Sequence, residues 1–138
     1  MMAVSYLIDT MQRLAFATLN DRVTGAEIGQ TIAAIYTDAD WQPGFNIVWD
    51  GSLISELMME REDLPNLSEV QRSFGGRAGD GRDVIITNRL IDEMMANMYV
   101  AFVRHLRPTF LATSREEAMA VLRHHDAKRQ RTPPVADR

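Results

Sequence analysis

The chain has 138 residues, of which 46% are hydrophobic and 25% are charged, and its formal net charge at pH 7 is −4. This length and composition are typical of one globular domain and exclude a largely disordered chain. The absence of cysteine excludes disulfides and thiolate metal sites, and the negative net charge argues against nucleic-acid binding.

The first residues, Met1–Tyr6, have neither the basic segment nor the apolar segment of a signal peptide. The most apolar stretch, Met94–Val103, is interrupted by Asn97 and is far shorter than the roughly 20 residues of a membrane-spanning helix. We therefore expect a cytoplasmic protein without a membrane span.

Two short alternating stretches, Ala3–Asp9 and Arg13–Leu19, predict an antiparallel hairpin. Asn20-Asp21-Arg22 is expected to turn the chain. Thr24 and Glu27 then have the spacing of a capping box. A helix is predicted from this point to about Asp38, because isoleucines recur at helical spacing.

The stretch Phe45–Asp50 predicts the central strand, with Ile47 and Trp49 on one buried face. Ligands gather at the strand ends of open α/β sheets, so Asp50 and Ser52 are candidate binding residues. A simpler interpretation is that Asp50 caps the turn that follows the strand.

A long acidic connection, Ser52–Pro65, leads to a helix that is predicted to begin at Ser68. Two interpretations of Ser68 stay open. It is either the helix N-cap, or a phosphoacceptor at the positive end of the helix. The glycine cluster Gly75–Gly81 follows a helix and precedes a strand, so we interpret it as a helix stop and not as a phosphate-binding loop.

The remaining predicted elements are the strand Asp83–Asn88, with Ile86 buried, the long helix Leu90–Leu106, the strand Pro108–Thr113, and a helix from Ser114 to His125. The long helix carries a wide apolar stripe. Core packing explains such a stripe, and its width leaves room for a dimer contact or an apolar pocket. The candidate contact residues are Met58, Met59, Met95 and Tyr99.

Strands that alternate with helices at this spacing predict an α/β fold. Its mixed sheet begins with an N-terminal antiparallel hairpin, continues with βα repeats, and has its helices mainly on one face. Residues 1–125 are expected to form a single domain. Residues 126–138 are expected to form a flexible C-terminal tail, since they contain two prolines and no apolar periodicity.

Four segments, namely Val23–Glu27, Trp41–Asp50, Asp83–Thr87 and Thr113–Ala118, occur in an order that resembles SpoIIAA-like, STAS-type domains. These domains are related to bacterial anti-sigma-factor antagonists. The likeness runs from about Arg13 to Arg123, and the stand-alone bacterial SpoIIAA-like proteins are the most similar group.

In the antagonists of this family, a partner kinase phosphorylates a serine at the start of the helix after the central strand. The resemblance places Ser68 at that position. The chain departs from the family here, because Pro65-Asn66-Leu67-Ser68-Glu69 replaces an Asp-Ser-Ser-Gly-like signature.

The resemblance implies a SpoIIAA-like fold and a non-enzymatic regulatory or protein-interaction module, with a regulatory protein or a second copy of the chain as its partner. The alternative is a small-molecule or lipid-binding domain with an apolar pocket near the Met-rich helix. An enzyme is disfavoured because the sequence contains no recognisable nucleophile motif. No cofactor and no metal site are predicted.

Overall fold

The structure, a computed structural model, describes residues 3–87, 96–97, 99–101 and 107–131. Its strands are β1 (Val4–Asp9), β2 (Leu14–Thr24), β3 (Asn46–Met58), β4 (Asp83–Ile86) and β5 (Thr109–Ala112). Its helices are α1 (Gly25–Thr37), α2 (Asp63–Ser73), α3 (Gly75–Ala78) and α4 (Arg115–Arg131). The strands form one sheet in the order β1-β2-β3-β4-β5, antiparallel between β1 and β2 and parallel elsewhere. The predicted α/β fold, with its leading hairpin and βα repeats, is confirmed.

The hairpin between β1 and β2 is held by the side chain of Asp9. Its carboxylate accepts hydrogen bonds from the backbone N–H groups of Met11 at 3.0 Å and Gln12 at 3.1 Å. Arg13 then has a φ of 56°, in the left-handed region. The chain reverses within these few residues, and Leu14 pairs with Asp9.

Both β2 and β3 are longer than predicted. β2 continues through Asn20-Asp21-Arg22, and β3 continues past Asp50 to Met58, so neither the expected turn nor the expected strand end exists. The pairing of the two strands shifts twice, and each shift gives β3 one extra residue. Such bulges bend a strand without ending it. The polar residues in this region therefore have the sequence pattern of a turn although the strands continue through them.

α1 begins as predicted. The hydroxyl oxygen of Thr24 accepts a hydrogen bond from the N–H of Glu27 at 3.1 Å, and the Glu27 carboxylate accepts one from the N–H of Thr24 at 2.9 Å. The helix then packs closely on α2 at Gly25, where an added Cβ would lie 2.7 Å from Cγ of Asp63.

α2 begins five residues before the predicted start. Its first residue is Asp63, and Glu62 occupies the N-cap position, so Ser68 lies inside the helix and is not its N-cap. The prediction was wrong because the Ser-x-x-Gln pattern at Ser68 falls within a helix that has already begun. Pro65 did not prevent this, since proline is tolerated in the first turn of a helix.

Two apolar clusters lie on opposite faces of the sheet. On the first face, Ile47 and Trp49 are buried, as predicted, together with residues of α1 and α2 and with Tyr99. On the second face, α4 covers Val48 and Ile86. Among the described residues, more helices therefore pack on the first face than on the second, as predicted.

α4 also begins as predicted. The Ser114 hydroxyl accepts a hydrogen bond from the N–H of Glu117 at 3.0 Å, and the Glu117 carboxylate accepts bonds from the N–H and hydroxyl of Thr113 at 3.2 and 2.6 Å. The helix runs to Arg131, past residue 126, where a flexible tail was expected. Residues 132–138 lie outside the described part of the chain.

The helix predicted for Leu90–Leu106 is described at residues 96–97 and 99–101, and these residues are helical. The rest of that prediction, including Met95, lies outside the described residues. Within the described ranges, no helix is both long enough and apolar enough to cross a membrane.

Candidate functional site

A buried carboxylate holds the first bulge of β3. Asp50 is 4% exposed, and its Oδ1 accepts hydrogen bonds from the N–H of Ser52 at 3.0 Å and from the Ser52 hydroxyl at 2.6 Å. Its Oδ2 accepts a bond from Nε of Arg115 at 2.7 Å, which ties β3 to the first turn of α4. Burial acts to raise the pKa of Asp50, but the bonds from Ser52 and Arg115 outweigh it and hold that pKa below its ordinary value. Asp50 is thus a charged structural residue.

An ion pair is buried at the amino end of β4. Arg107 and Asp83 have side chains that are each 1% exposed, and Nε of Arg107 donates to Oδ1 of Asp83 at 2.5 Å. The guanidinium also donates to the carbonyl oxygens of Phe45 at 2.7 Å and Ala78 at 2.9 Å. Burial acts to lower the pKa of Arg107, but the charge of Asp83 dominates and holds it above its ordinary value. A pair with this many partners serves the fold.

A chain of polar side chains runs through the core beside this pair. The Tyr36 hydroxyl donates to Oε1 of Gln71 at 2.9 Å, and Nε2 of Gln71 donates to the Tyr99 hydroxyl at 3.2 Å. Burial, reinforced by the negative charge of Asp83, raises the pKa of both tyrosines. Neither phenol ionises near neutral pH, so this chain links α1, α2 and the helical segment at Tyr99 as neutral groups.

An apolar cavity of about 70 Å³ lies between α1, the outer half of β3 and the carboxyl end of β4. Ile28, Leu57 and Met59 line one side of it and are half-buried, so the cavity approaches the surface there. Thr87 and Tyr99 are the polar side chains of the described lining. Its other lining residues include Leu19, Trp49, Ile54, Ile85, Ile86 and Ala96.

On the second face of the sheet, the main contacts of α4 are with β3, β4 and β5. Leu7 in β1 is 62% exposed and lies directly beside the half-buried Phe16 in β2. Leu53 is also 62% exposed and pairs with Asn20, which shares the face of Phe16 by strand alternation. At the border with α4, Cζ of Arg115 lies 4.3 Å from the centroid of the Phe16 ring. We call the surface of Leu7, Phe16, Leu53 and Arg115 the open face.

The candidate residues from the sequence fall into separate places. Met59 and Tyr99 come together in the lining of the cavity. Met58 is 42% exposed at the end of β3. Ser68 is 7% exposed within α2, and a kinase would have to open the helix to reach it. Met95 lies outside the described residues.

Other residues of these surfaces were not singled out from the sequence. The alternation of β1 places Leu7 on the face opposite to Tyr6 and Ile8, and this pattern was visible in the sequence. Nothing in the sequence distinguishes Ile28 and Ala96 as cavity residues, because an apolar residue that lines a cavity follows the same hydrophobic periodicity as one that fills a core.

The described residues show no metal centre, since no group of three or more His, Asp or Glu side chains comes together in them. His124 and His125 contact each other edge to face, and the ring of His125 stacks on Phe110 with 4.4 Å between the ring centroids.

Several solved structures resemble this fold, and two of them are compared with it. The first is an uncharacterized protein of the DUF3478 family with a SpoIIAA-like fold, from Shewanella loihica PV-4. It is 12% identical, with a TM-score of 0.58 over 87% of this chain and 94% of that chain. The second is the anti-sigma factor antagonist SpoIIAA in its unphosphorylated form, 17% identical, with a TM-score of 0.54 over 88% of this chain and 98% of that chain. The chain therefore has a SpoIIAA-like fold. No family model and no curated protein matches its sequence.

Proposed function

We propose that this chain is a non-enzymatic regulatory module that acts by binding a protein partner through its open face. The observation that carries the proposal is the 62% exposure of Leu7 beside Phe16, together with the 62% exposure of Leu53 further along the same face of the sheet. Large apolar side chains that stay exposed on one face of a fold are typical of protein contact sites. The adjacent α4 covers Val48 and Ile86, whereas Leu7, on the same face of the sheet, is exposed.

The fold supports the regulatory class of function. One solved structure of this fold is that of an anti-sigma factor antagonist, a regulatory protein. We extend to this chain the general class and not the partner. Phosphorylation of Ser68 is not part of the proposal, because that residue is buried inside α2.

The absence of an enzymatic activity is also proposed. In the described part of the chain, the buried ionisable groups Asp50, Asp83 and Arg107 are each engaged by structural partners. An acid or base in catalysis needs to face a substrate. The cysteine-free sequence also fits a cytoplasmic location, where structural disulfide bonds are rare.

Site-specific photo-crosslinking in the cells of origin tests the interaction. A benzoylphenylalanine at Leu7 or Leu53 should capture one discrete protein, whereas the same probe at the exposed Arg72 of α2 should not. Leu7→Lys should abolish capture by the probe at position 53, and its circular dichroism should be unchanged because Leu7 is exposed. Equal capture from positions 7 and 72, or none from either face, contradicts the proposal.

Mass spectrometry of the crosslinked product also identifies the partner. A product of two copies of this chain supports a homodimer, the simplest closed assembly. Met58 is 42% exposed and would extend the contact, whereas Met59 and Tyr99 line the cavity. A product with another protein supports a regulatory complex.

A second candidate function is the binding of a small molecule, and one observation favours it. The apolar cavity beside Met59 and Tyr99 lies on the opposite face of the sheet from the open face. Both functions can therefore exist in one molecule, and each can be tested without the other.

A further inference from the structure

We infer that the apolar cavity is a binding site for one aliphatic group of roughly three or four carbon atoms, presented by a neutral or cationic small molecule. This inference rests on the second candidate function and specifies its ligand class. The size follows from comparison: an apolar cavity of about 150 Å³ holds one benzene molecule, and this cavity measures about 70 Å³.

The lining determines what can enter. Nearly all of it is hydrocarbon, and no charged side chain is among its described residues. A charged group placed there would lose its hydration without gaining a partner. The Tyr99 hydroxyl, one of the polar groups of the lining, is already held by Gln71 at 3.2 Å. The part of the ligand that occupies the cavity is therefore an alkyl group.

Water is a poor occupant of the same space. A buried water needs hydrogen bonds to polar partners, and apolar cavities of this kind stay dry. An alkyl group that enters makes dispersion contacts with Trp49, Ile54 and Ile85, which line the cavity. Transfer of that group out of water adds the hydrophobic contribution.

The surroundings of the cavity favour a ligand without negative charge. Met59 lies on its half-buried side, and it is followed by the exposed residues Glu60, Arg61 and Glu62, whose formal charges of −1, +1 and −1 sum to −1. Glu56 lies on the same segment and is paired with Arg22 at 3.0 Å. A net negative charge on the segment beside the cavity disfavours an anionic head group relative to a neutral or cationic one.

The two tryptophans provide a readout with an internal control. Trp49 lines the cavity, whereas Trp41 packs elsewhere in the core against Tyr36 and Phe45, with ring centroids 5.2 and 5.6 Å apart. Protein labelled with 5-fluorotryptophan gives one fluorine NMR resonance for each residue. A ligand in the cavity should shift the Trp49 resonance and leave the Trp41 resonance in place.

The probes are ethanol, 1-propanol, 1-butanol and 1-pentanol, followed by n-butylamine and sodium butyrate. The Trp49 shift should saturate, with a Kd that falls about fourfold for each added methylene until the cavity is full. The gain should stop near propanol or butanol. Butylammonium should bind at least as tightly as butanol, and butyrate at least tenfold more weakly.

Two matched substitutions locate the effect. Ala96 is buried in the lining, whereas Ala101 is exposed on the same helical segment. Ala96→Leu should fill the cavity and abolish the Trp49 shift, and Ala101→Leu should leave both the shift and the Kd unchanged. If Ala96→Leu does not fold, Ile28→Phe narrows the cavity from α1 and should weaken binding by tenfold or more.

The inference is overturned if no probe gives a saturable shift of Trp49, or if the shift survives Ala96→Leu unchanged. The first result would identify the cavity as a packing defect, and the second would place the alcohols elsewhere. Preferential binding of butyrate would contradict the ligand class. These outcomes are independent of crosslinking through the open face, so a failure of either function can be told from a failure of the other.

Discussion

Asp50 is a carboxylate at the edge of a hydrophobic core that the surrounding hydrogen bonds keep charged. Its 4% exposure would by itself favour the neutral acid. The N–H and hydroxyl of Ser52 and the guanidinium of Arg115 reverse that preference, since all three donate to the ionised form. The hydrogen-bond donors therefore set the charge state of Asp50. Their bonds also hold the first bulge of β3.

The charge of Asp50 predicts a pH-dependent stability. Asp50→Asn should lower the free energy of unfolding by about 1–2 kcal/mol at pH 7, because bonds to a charged acceptor are strong while the exposed Arg115 is screened by solvent. The folded-state pKa lies below the ordinary value. The contribution is therefore complete above about pH 4 and is lost as the pH falls through the folded-state pKa. Urea unfolding at pH 7 and at about pH 2.5 measures this loss.

Arg115→Gln is the control for the Asp50 experiment. It removes the charge partner, whose side chain is 59% exposed, but keeps both bonds from Ser52. We expect a loss below about 1 kcal/mol at pH 7. A stability difference between wild type and Asp50→Asn that is equally large at both pH values would show that lost packing, and not charge, is responsible.

The elements that sequence analysis predicted well are those with local start signals. Thr24 with Glu27, and Ser114 with Glu117, each place a side-chain acceptor three residues before the amide that it caps, and both helices begin there. Such signals need no knowledge of the rest of the chain. The order of strands and helices follows from hydrophobic periodicity in the same way.

The elements that sequence analysis placed wrongly depend on contacts far along the chain. β3 continues past Asp50 because β2 pairs with it as far as Met58, and the pairing shifts at two bulges. α2 begins at Asp63, whereas the strongest capping signal in the sequence, at Ser68, lies five residues later inside the helix. The cavity depends on how Ile28, far away in sequence, meets β3 and β4. Periodicity identifies Ile28 as a core residue but does not show that the core is incompletely filled beside it.

The position of Ser68 inside α2 predicts a large effect for one substitution and a small effect for another. Ser68→Asp should destabilise the protein by several kcal/mol, because it places a charge at a site that is 7% exposed. Ser68→Ala should change stability by less than about 1 kcal/mol, since alanine is the best helix former. Thermal unfolding measures both. Asn66→Asp, an exposed new charge in the same helix, should be tolerated. Equal stability of the Asp variants at 66 and 68 would contradict the buried position.

Across the whole molecule, tight packing and open space lie at opposite ends of the central strands. At the amino ends, Arg107 joins β4 to α3 and to the segment before β3, and an added Cβ at Gly81 would lie 2.1 Å from the carbonyl oxygen of Phe45. At the carboxyl ends, β3 is bulged and borders the apolar cavity. The closely packed end of the sheet and the less filled end beside the candidate ligand site are therefore separate regions of the molecule.

The buried ion pair at the closely packed end of the sheet gives the last prediction. Asp83→Asn or Arg107→Met should each lower the free energy of unfolding by about 3–5 kcal/mol, because each leaves a buried partner uncompensated. The double variant should cost clearly less than the sum of the two, since it removes both charges. Glu69→Gln, which breaks the exposed pair with Arg72 at 2.7 Å, should cost below about 1 kcal/mol in the same urea titration. Strict additivity of the two core variants would mean that Asp83 and Arg107 stabilise the fold separately. That result would contradict the energetic coupling that their buried ion pair predicts.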